Sequence, residues 1–118
     1  MSRIKEILKK KNERKARLQA SLESIVSQLQ RMGALKIILF GSFAEGEVDV
    51  YSDLDLFIVM PSTRTGKEWL NIVYKNVERN VASDILFYNQ KEFYKKLPKS
   101  SFLQNVFDNG KVVYEKSA

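Results

Sequence analysis

Gly41-Ser42-Phe43-Ala44-Glu45-Gly46-Glu47-Val48-Asp49-Val50-Tyr51-Ser52-Asp53-Leu54-Asp55-Leu56 decides the fold, because it sets a Gly-Ser turn ten residues ahead of an Asp-x-Asp pair. Immediately upstream, Leu35 to Phe40 (LKIILF) is an apolar run of strand length, and Phe43 to Glu47 reads as a short helical segment after the turn. Backbone amides clustered at such a strand-to-helix turn can hold phosphate oxygens. Downstream, Leu54 to Met60 is a second apolar run, stopped by Pro61-Ser62. Strand alternation puts Asp53, Asp55 and Phe57 on one face and Leu54, Leu56 and Ile58 on the other, so the two acids point the same way.

Placing two acids together is unfavourable. Two ionised carboxylates about 5 Å apart at an effective dielectric of about 20 repel by roughly 3 kcal/mol, which calls for a positive partner between them. A divalent ion is the simplest partner. Oxygen-only ligands select hard ions, Mg²⁺ or Mn²⁺, and Mg²⁺ takes one or two protein carboxylates plus water and substrate phosphates. Zinc is disfavoured, since the chain has no His and no Cys. A third carboxylate lies in Val81 to Tyr88 (VASDILFY), a strand-like run interrupted by Asp84. A charge in such a run needs a reason, and a place beside Asp53 and Asp55 supplies one. An isolated Asp-x-Asp is more often a turn cap with a solvated neighbour; the Gly-Ser turn and the later strand Asp shift the balance toward a site.

In these residues the chain resembles the minimal nucleotidyltransferase domains of the DNA polymerase β superfamily. The resemblance covers roughly Leu35 to Tyr114, with Gly41 to Leu56 and the segment A-S-D-I-L-F around Asp84 at its centre. It implies that Gly41 and Ser42 contact a nucleoside triphosphate, that Asp53 and Asp55 bind two Mg²⁺ ions (Mn²⁺ as a substitute), and that Asp84 holds one metal and takes the proton from the attacking hydroxyl. ATP is the donor that the resemblance implies, and AMP the group moved. Such domains are often paired with a HEPN-domain toxin and act as its antitoxin by adding AMP to it, and this chain is similar to them in size and motif. One departure stands out. Where the family commonly carries Arg after the Ala of G-S-x-A-x-G, this chain has Glu45, which removes a positive contact. Two alternatives therefore stay open: a non-catalytic subunit that neutralises its partner by contact, and a nucleotidyltransferase acting on a small molecule.

Composition bounds these readings. At 118 residues, 44% hydrophobic and 29% charged, the chain has the size and balance of one globular domain, too short to add a separate substrate domain. No run reaches the roughly 18 apolar residues of a membrane span, the N-terminus lacks the apolar core of a signal peptide, and a cytoplasmic protein is expected. The net charge of +6 is localised: residues 1–20 hold eight basic and two acidic side chains, and the other 98 balance at twelve of each.

Residues 3–32 contain neither Gly nor Pro and read as one long helix or two joined ones. In the second half, Leu18, Leu22, Ile25, Val26, Leu29 and Met32 recur at helical spacing and should pack on a sheet, with Gly33 as the stop. The first half offers Ile4, Ile7 and Leu8, set apart by the polar KKKNERK. It reads as a solvated extension, a docking helix for a partner or second subunit, or a nucleic-acid contact, the last disfavoured by the lack of interleaved aromatics. Further on, a helix is expected from about Lys67 to Arg79 with Trp69, Leu70, Val73 and Val77 inward, and another over Gln90 to Leu97 with Phe93, Tyr94 and Leu97 inward. Ser100 or Ser101 caps a last helix to about Asp108, and Lys111 to Tyr114 forms a short strand. Arg64 and Lys67 lie in a loop that could approach a triphosphate. The expected fold is α/β: a small mixed sheet with flanking helices, of the polymerase β-like nucleotidyltransferase type. It divides into an N-terminal helical segment, 1–32, and the nucleotidyltransferase domain, 33–118.

Overall fold

The computed structural model describes residues 2–44, 46, 54–77 and 83–117. In chain order these form α1 (Ser2–Arg31), β1 (Lys36–Phe40), α2 (Gly41–Ala44), β2 (Leu54–Met60), α3 (Gly66–Asn76), β3 (Ser83–Asn89), α4 (Gln90–Lys96), a 3-10 turn (Leu97–Lys99), α5 (Ser101–Asn109) and β4 (Lys111–Glu115). The four strands make one mixed sheet in the order β3-β2-β1-β4. β1 pairs antiparallel with both β2 and β4, and β2 pairs parallel with β3. The parallel pair follows from α3, whose crossover returns the chain to the edge where β2 began.

Both faces of the sheet are covered, which explains why β2 is apolar at nearly every position. On one face Leu54, Leu56 and Ile58 meet the α1 stripe of Leu18, Leu22, Ile25 and Leu29 and the α3 residues Trp69 and Val73, all buried. On the other, Ile38, Phe57 and Val59 meet Phe93 of α4 and Leu103 and Val106 of α5. Each large aliphatic side chain buried here contributes about 2 kcal/mol relative to exposure. The expectation for α4 needs one correction. Phe93 is buried and Leu97 half-buried, but Tyr94 is 64% exposed, because a seven-residue helix lying on a sheet turns only one narrow face inward. Arg79, the expected end of α3, lies outside the described residues, and the helix is capped at Val77.

The β2–α3 turn and the β3–α4 turn are clamped together by one carboxylate. Asn89 caps α4 and Glu92 returns the bond, its Oε1 accepting from Asn89 N at 2.8 Å and also from Gly66 N at 2.9 Å. Asn89 Nδ2 donates to Arg64 O at 2.9 Å, and Trp69 Nε1 to Pro61 O at 2.9 Å. Gly66 is required by proximity, since a Cβ there would strike the Phe87 carbonyl. A second box caps α3, where the Thr65 backbone N–H, and then its hydroxyl, hold the Glu68 carboxyl below its ordinary value. A lowered folded value means that this cap is complete above the ordinary Glu range and is lost as pH falls through the lowered value.

Replacing Glu92 with Ala leaves two amide donors without their acceptor at a partly buried turn, and should lower stability by about 2 kcal/mol. Urea unfolding checks it: the midpoint should fall with the slope unchanged, while Lys91→Ala, on the exposed side of the same helix, should move it little.

Candidate active site

Three chain segments end or begin at one edge of the sheet. β1 finishes at Phe40 and turns into α2 at Gly41, while β2 and β3 both start there, at Leu54 and Ser83. The register then sorts the side chains. Asp55 stands opposite Phe40 on one side and opposite Asp84 on the other. Paired positions of neighbouring strands share a face, so Asp55 and Asp84 project together from adjacent parallel strands about 4.8 Å apart. Asp55 is half-buried and Asp84 exposed.

Gly41 completes this corner by what it lacks. Its φ of +78° lies in the left-handed region, and a Cβ would stand 3.0 Å from Asp55 Cγ and closer still to Oδ2. The strand-to-helix turn therefore passes directly against the Asp55 carboxylate, which only glycine permits. On its other side the turn opens into a cavity of about 180 Å³ lined by Phe40, Phe102, Asn105 and Asn109 among others. Phe102 packs edge-on against Phe40 at 5.9 Å between ring centroids, and Asn109 Nδ2 donates to Asn105 Oδ1. Along the open face β3 continues with Leu86, 40% exposed, and then Tyr88, which packs edge-on against Phe57 at 5.4 Å.

Of the sequence-predicted residues, Gly41, Asp55 and Asp84 are brought together. Asp53, Glu45 and the side chain of Ser42 lie outside the described part, although the backbone of Ser42 is the second residue of α2. Among the described residues no three acids converge as a metal cage. The donor set nonetheless fits a hard divalent ion: two carboxylates on one face, beside a turn shaped for close approach of backbone to ligand. Arg64 and Lys67 are not part of this corner. They follow the opposite end of β2, about 20 Å away at 3.3 Å per residue, and the Arg64 guanidinium lies 5.8 Å over the Trp69 ring instead. The α5 wall, Phe102 to Asn109, was invisible in the sequence. Some sixty residues separate it from Gly41, and its helical pattern signals only burial of Leu103 and Val106.

Comparison with known proteins agrees with this geometry. The family model described as "Nucleotidyltransferase domain" matches residues 19–113. A curated relative from Methanocaldococcus jannaschii, named "putative protein adenylyltransferase", is 36% identical over 75 residues, which are 64% of this chain and 74% of the relative. The crystal structure of a "putative nucleotidyltransferase" from Sulfolobus solfataricus superposes with a TM-score of 0.64 at 14% identity, covering 91% of this chain and 88% of that one. The last likeness is one of fold.

Asp55→Asn removes a like-charge neighbour of Asp84 and should raise the melting temperature of the metal-free protein by about 2 °C, the equivalent of about 0.5 kcal/mol at a partly exposed pair. Millimolar Mn²⁺ with ATP should raise the melting temperature of the wild type, and the same variant should lose that rise. Gly41→Ala should act oppositely, destabilising by about 2 kcal/mol through the left-handed φ and the overlap with Asp55. Differential scanning fluorimetry on the three proteins reads all of these shifts.

Proposed function

Because this chain belongs to the nucleotidyltransferase domain family, we propose that it moves AMP from ATP to a hydroxyl of a protein acceptor, a HEPN-domain partner that it thereby neutralises. The observation that carries this reading is the convergence of Gly41, Asp55 and Asp84 at one sheet edge. The relative named for protein adenylylation supports AMP as the group and a protein as the acceptor. The setting we infer is the cytoplasm; among the described residues no helix is long and apolar enough to cross a membrane.

The reaction forms a bond between the acceptor oxygen and the α-phosphorus, breaks the α–β bridge, and releases pyrophosphate. Asp55 and Asp84, with Asp53 two residues before Asp55 in the sequence, would hold two divalent ions. When bound, these ions supply neutralisation of the triphosphate charge and a more acidic attacking hydroxyl. The rest falls to the chain itself. The Gly41 and Ser42 amides orient the phosphate tail, and because Gly41 has no Cβ, the turn that carries these amides packs directly against the Asp55 carboxylate. Asp84, exposed at the start of the edge strand, is the acid open to an arriving acceptor and accepts its proton. Phe40 and Phe102, packed edge-on, form an apolar wall beside the turn.

Glu45 favours a second reading, contact without turnover, because it removes a cation from the phosphate turn. Intact mass measurement separates the two. Incubated with ATP, Mg²⁺ and its co-encoded partner, the protein should add about 329 Da to that partner, one AMP per acceptor hydroxyl, as expected for attack at the α-phosphorus. Asp53→Asn and Asp55→Asn should each abolish the gain, and Asp84→Asn should slow it while nucleotide binding persists. Neutralisation of the partner without added mass, equally by wild type and Asp variants, would establish contact alone.

A further inference from the structure

α1 is longer than the sheet that it covers. It runs unbroken for 30 residues, about 45 Å, yet burial begins only at Leu18. From Arg3 to Arg17 every side chain is exposed except Arg14, which is half-buried. The turn after α1 reverses the chain tightly, with Ala34 N donating to Leu29 O at 3.0 Å, so the helix doubles back over the sheet. Leu29 then lies near the start of β1, and Leu18, about 16 Å further back, near its end at Phe40. The first sixteen residues of α1 consequently project about 24 Å past the edge that holds Gly41, Asp55 and Asp84, giving the molecule its 55 Å long axis against 31 and 24 Å across.

This arm has a pattern of its own. Ile4, Ile7 and Leu8, 57%, 49% and 55% exposed, fall at helical spacing on the same stripe that Leu18 and Leu22 continue into the core. Lys11, Arg14 and Lys15 occupy the stripe between them, so the core-facing side of the helix carries the exposed Lys11 and Lys15, with Arg14 half-buried between them, and then an apolar patch. An isolated helix of this length is marginal in water, and none of its apolar side chains before Leu18 is buried.

We propose that the arm docks the acceptor: an acidic protein with an apolar groove for Ile4, Ile7 and Leu8 and carboxylates facing the exposed Lys11 and Lys15. Such a partner lies under the overhang and presents its surface at the catalytic edge. The helix-in-groove mode reads anchors at these spacings. Other occupants fit less well. A second copy would bring another arm of the same charge, and the remaining 98 residues carry no acidic excess to meet it. A nucleic acid would leave the apolar patch unused and finds no aromatic in residues 1–20 on which to stack. A membrane surface would have to bury the three cations that interrupt the stripe.

The docking inference rests on nucleotidyl transfer only in naming the docked protein as acceptor, so its test omits nucleotide. The full chain is titrated by fluorescence anisotropy with a labelled amphipathic peptide of leucine and glutamate, with labelled dT20, and against phosphatidylserine vesicles, alongside sedimentation for self-association. The peptide should bind most tightly, and both K11E/K15E and I4S/L8S should weaken it about tenfold or more, as loss of buried anchors does. Asp55→Asn should leave it unchanged. Circular dichroism confirms that the variants keep their helix content. Peptide binding indifferent to I4S/L8S, tighter binding of dT20 or vesicles, dimerisation through the arm, or no binding of any probe would each overturn the proposal. If the peptide result holds while the wild type binds no ATP, the transfer reading fails and the docking surface stands.

Discussion

The parallel pairing of β2 with β3, in the register that sets Asp55 against Asp84, is the constraint on which the rest of the site depends. A slip of one residue would turn Asp84 to the α1 face and bring Ile85 to the corner, since strand side chains alternate. What prevents the slip lies at the other end of the strands. There the Glu92 carboxylate ties the β3–α4 turn to the start of α3, and Asn89 binds the Arg64 carbonyl, so the two strands are held in step by bonds about 20 Å from the acids they align. The covered faces add to this. Moving β3 by one position would drive Asp84 and Leu86 into a packed layer and expose Ile85 and Phe87, which are buried.

A sheet covered on both faces must still leave its reacting edge open, and the helices divide that work. α1 and α3 close one face, and α4 and α5 close only part of the other, leaving Asp84 and Leu86 in solvent. The acids lie on the partly open face, at the strand ends, where solvent reaches Asp84. Gly41 shows how close the parts come there: the turn touches the Asp55 carboxylate so closely that the smallest side chain would not fit.

Length and charge of α1 belong to the same arrangement. A helix meant only to cover the sheet would end near Leu18, because the buried stripe begins there and strands of five to seven residues need no more. The extra turns carry the entire net charge of the chain and point past the edge that holds Gly41, Asp55 and Asp84. Favourable burial in the second half, about 2 kcal/mol for each of four aliphatic side chains, anchors the lever, while Ile4, Ile7 and Leu8 of the first half stay exposed.

Much of this was legible from residues alone, because the signals are local. The α1 stripe, the strands ending at Phe40 and beginning at Leu54, and the alternation that separates Asp55 from Leu54 and Leu56 each depend on a few neighbouring positions and appear as read, and of the two serines read as caps of α5 it is Ser100 that caps it. Gly41 and Asp55 are fifteen residues or fewer apart, so their relation was carried by spacing as well. What only the tertiary structure decided is non-local: that β3 joins β2 in parallel and so brings Asp84 to Asp55, that the α5 residues Phe102, Asn105 and Asn109 wall the Gly41 turn, that Tyr94 faces solvent, and that Arg64 sits at the wrong end of β2 to reach a phosphate. Periodicity fixes which face of an element is apolar, but which elements meet, and in what register, is set by packing and hydrogen bonds between segments far apart in the chain.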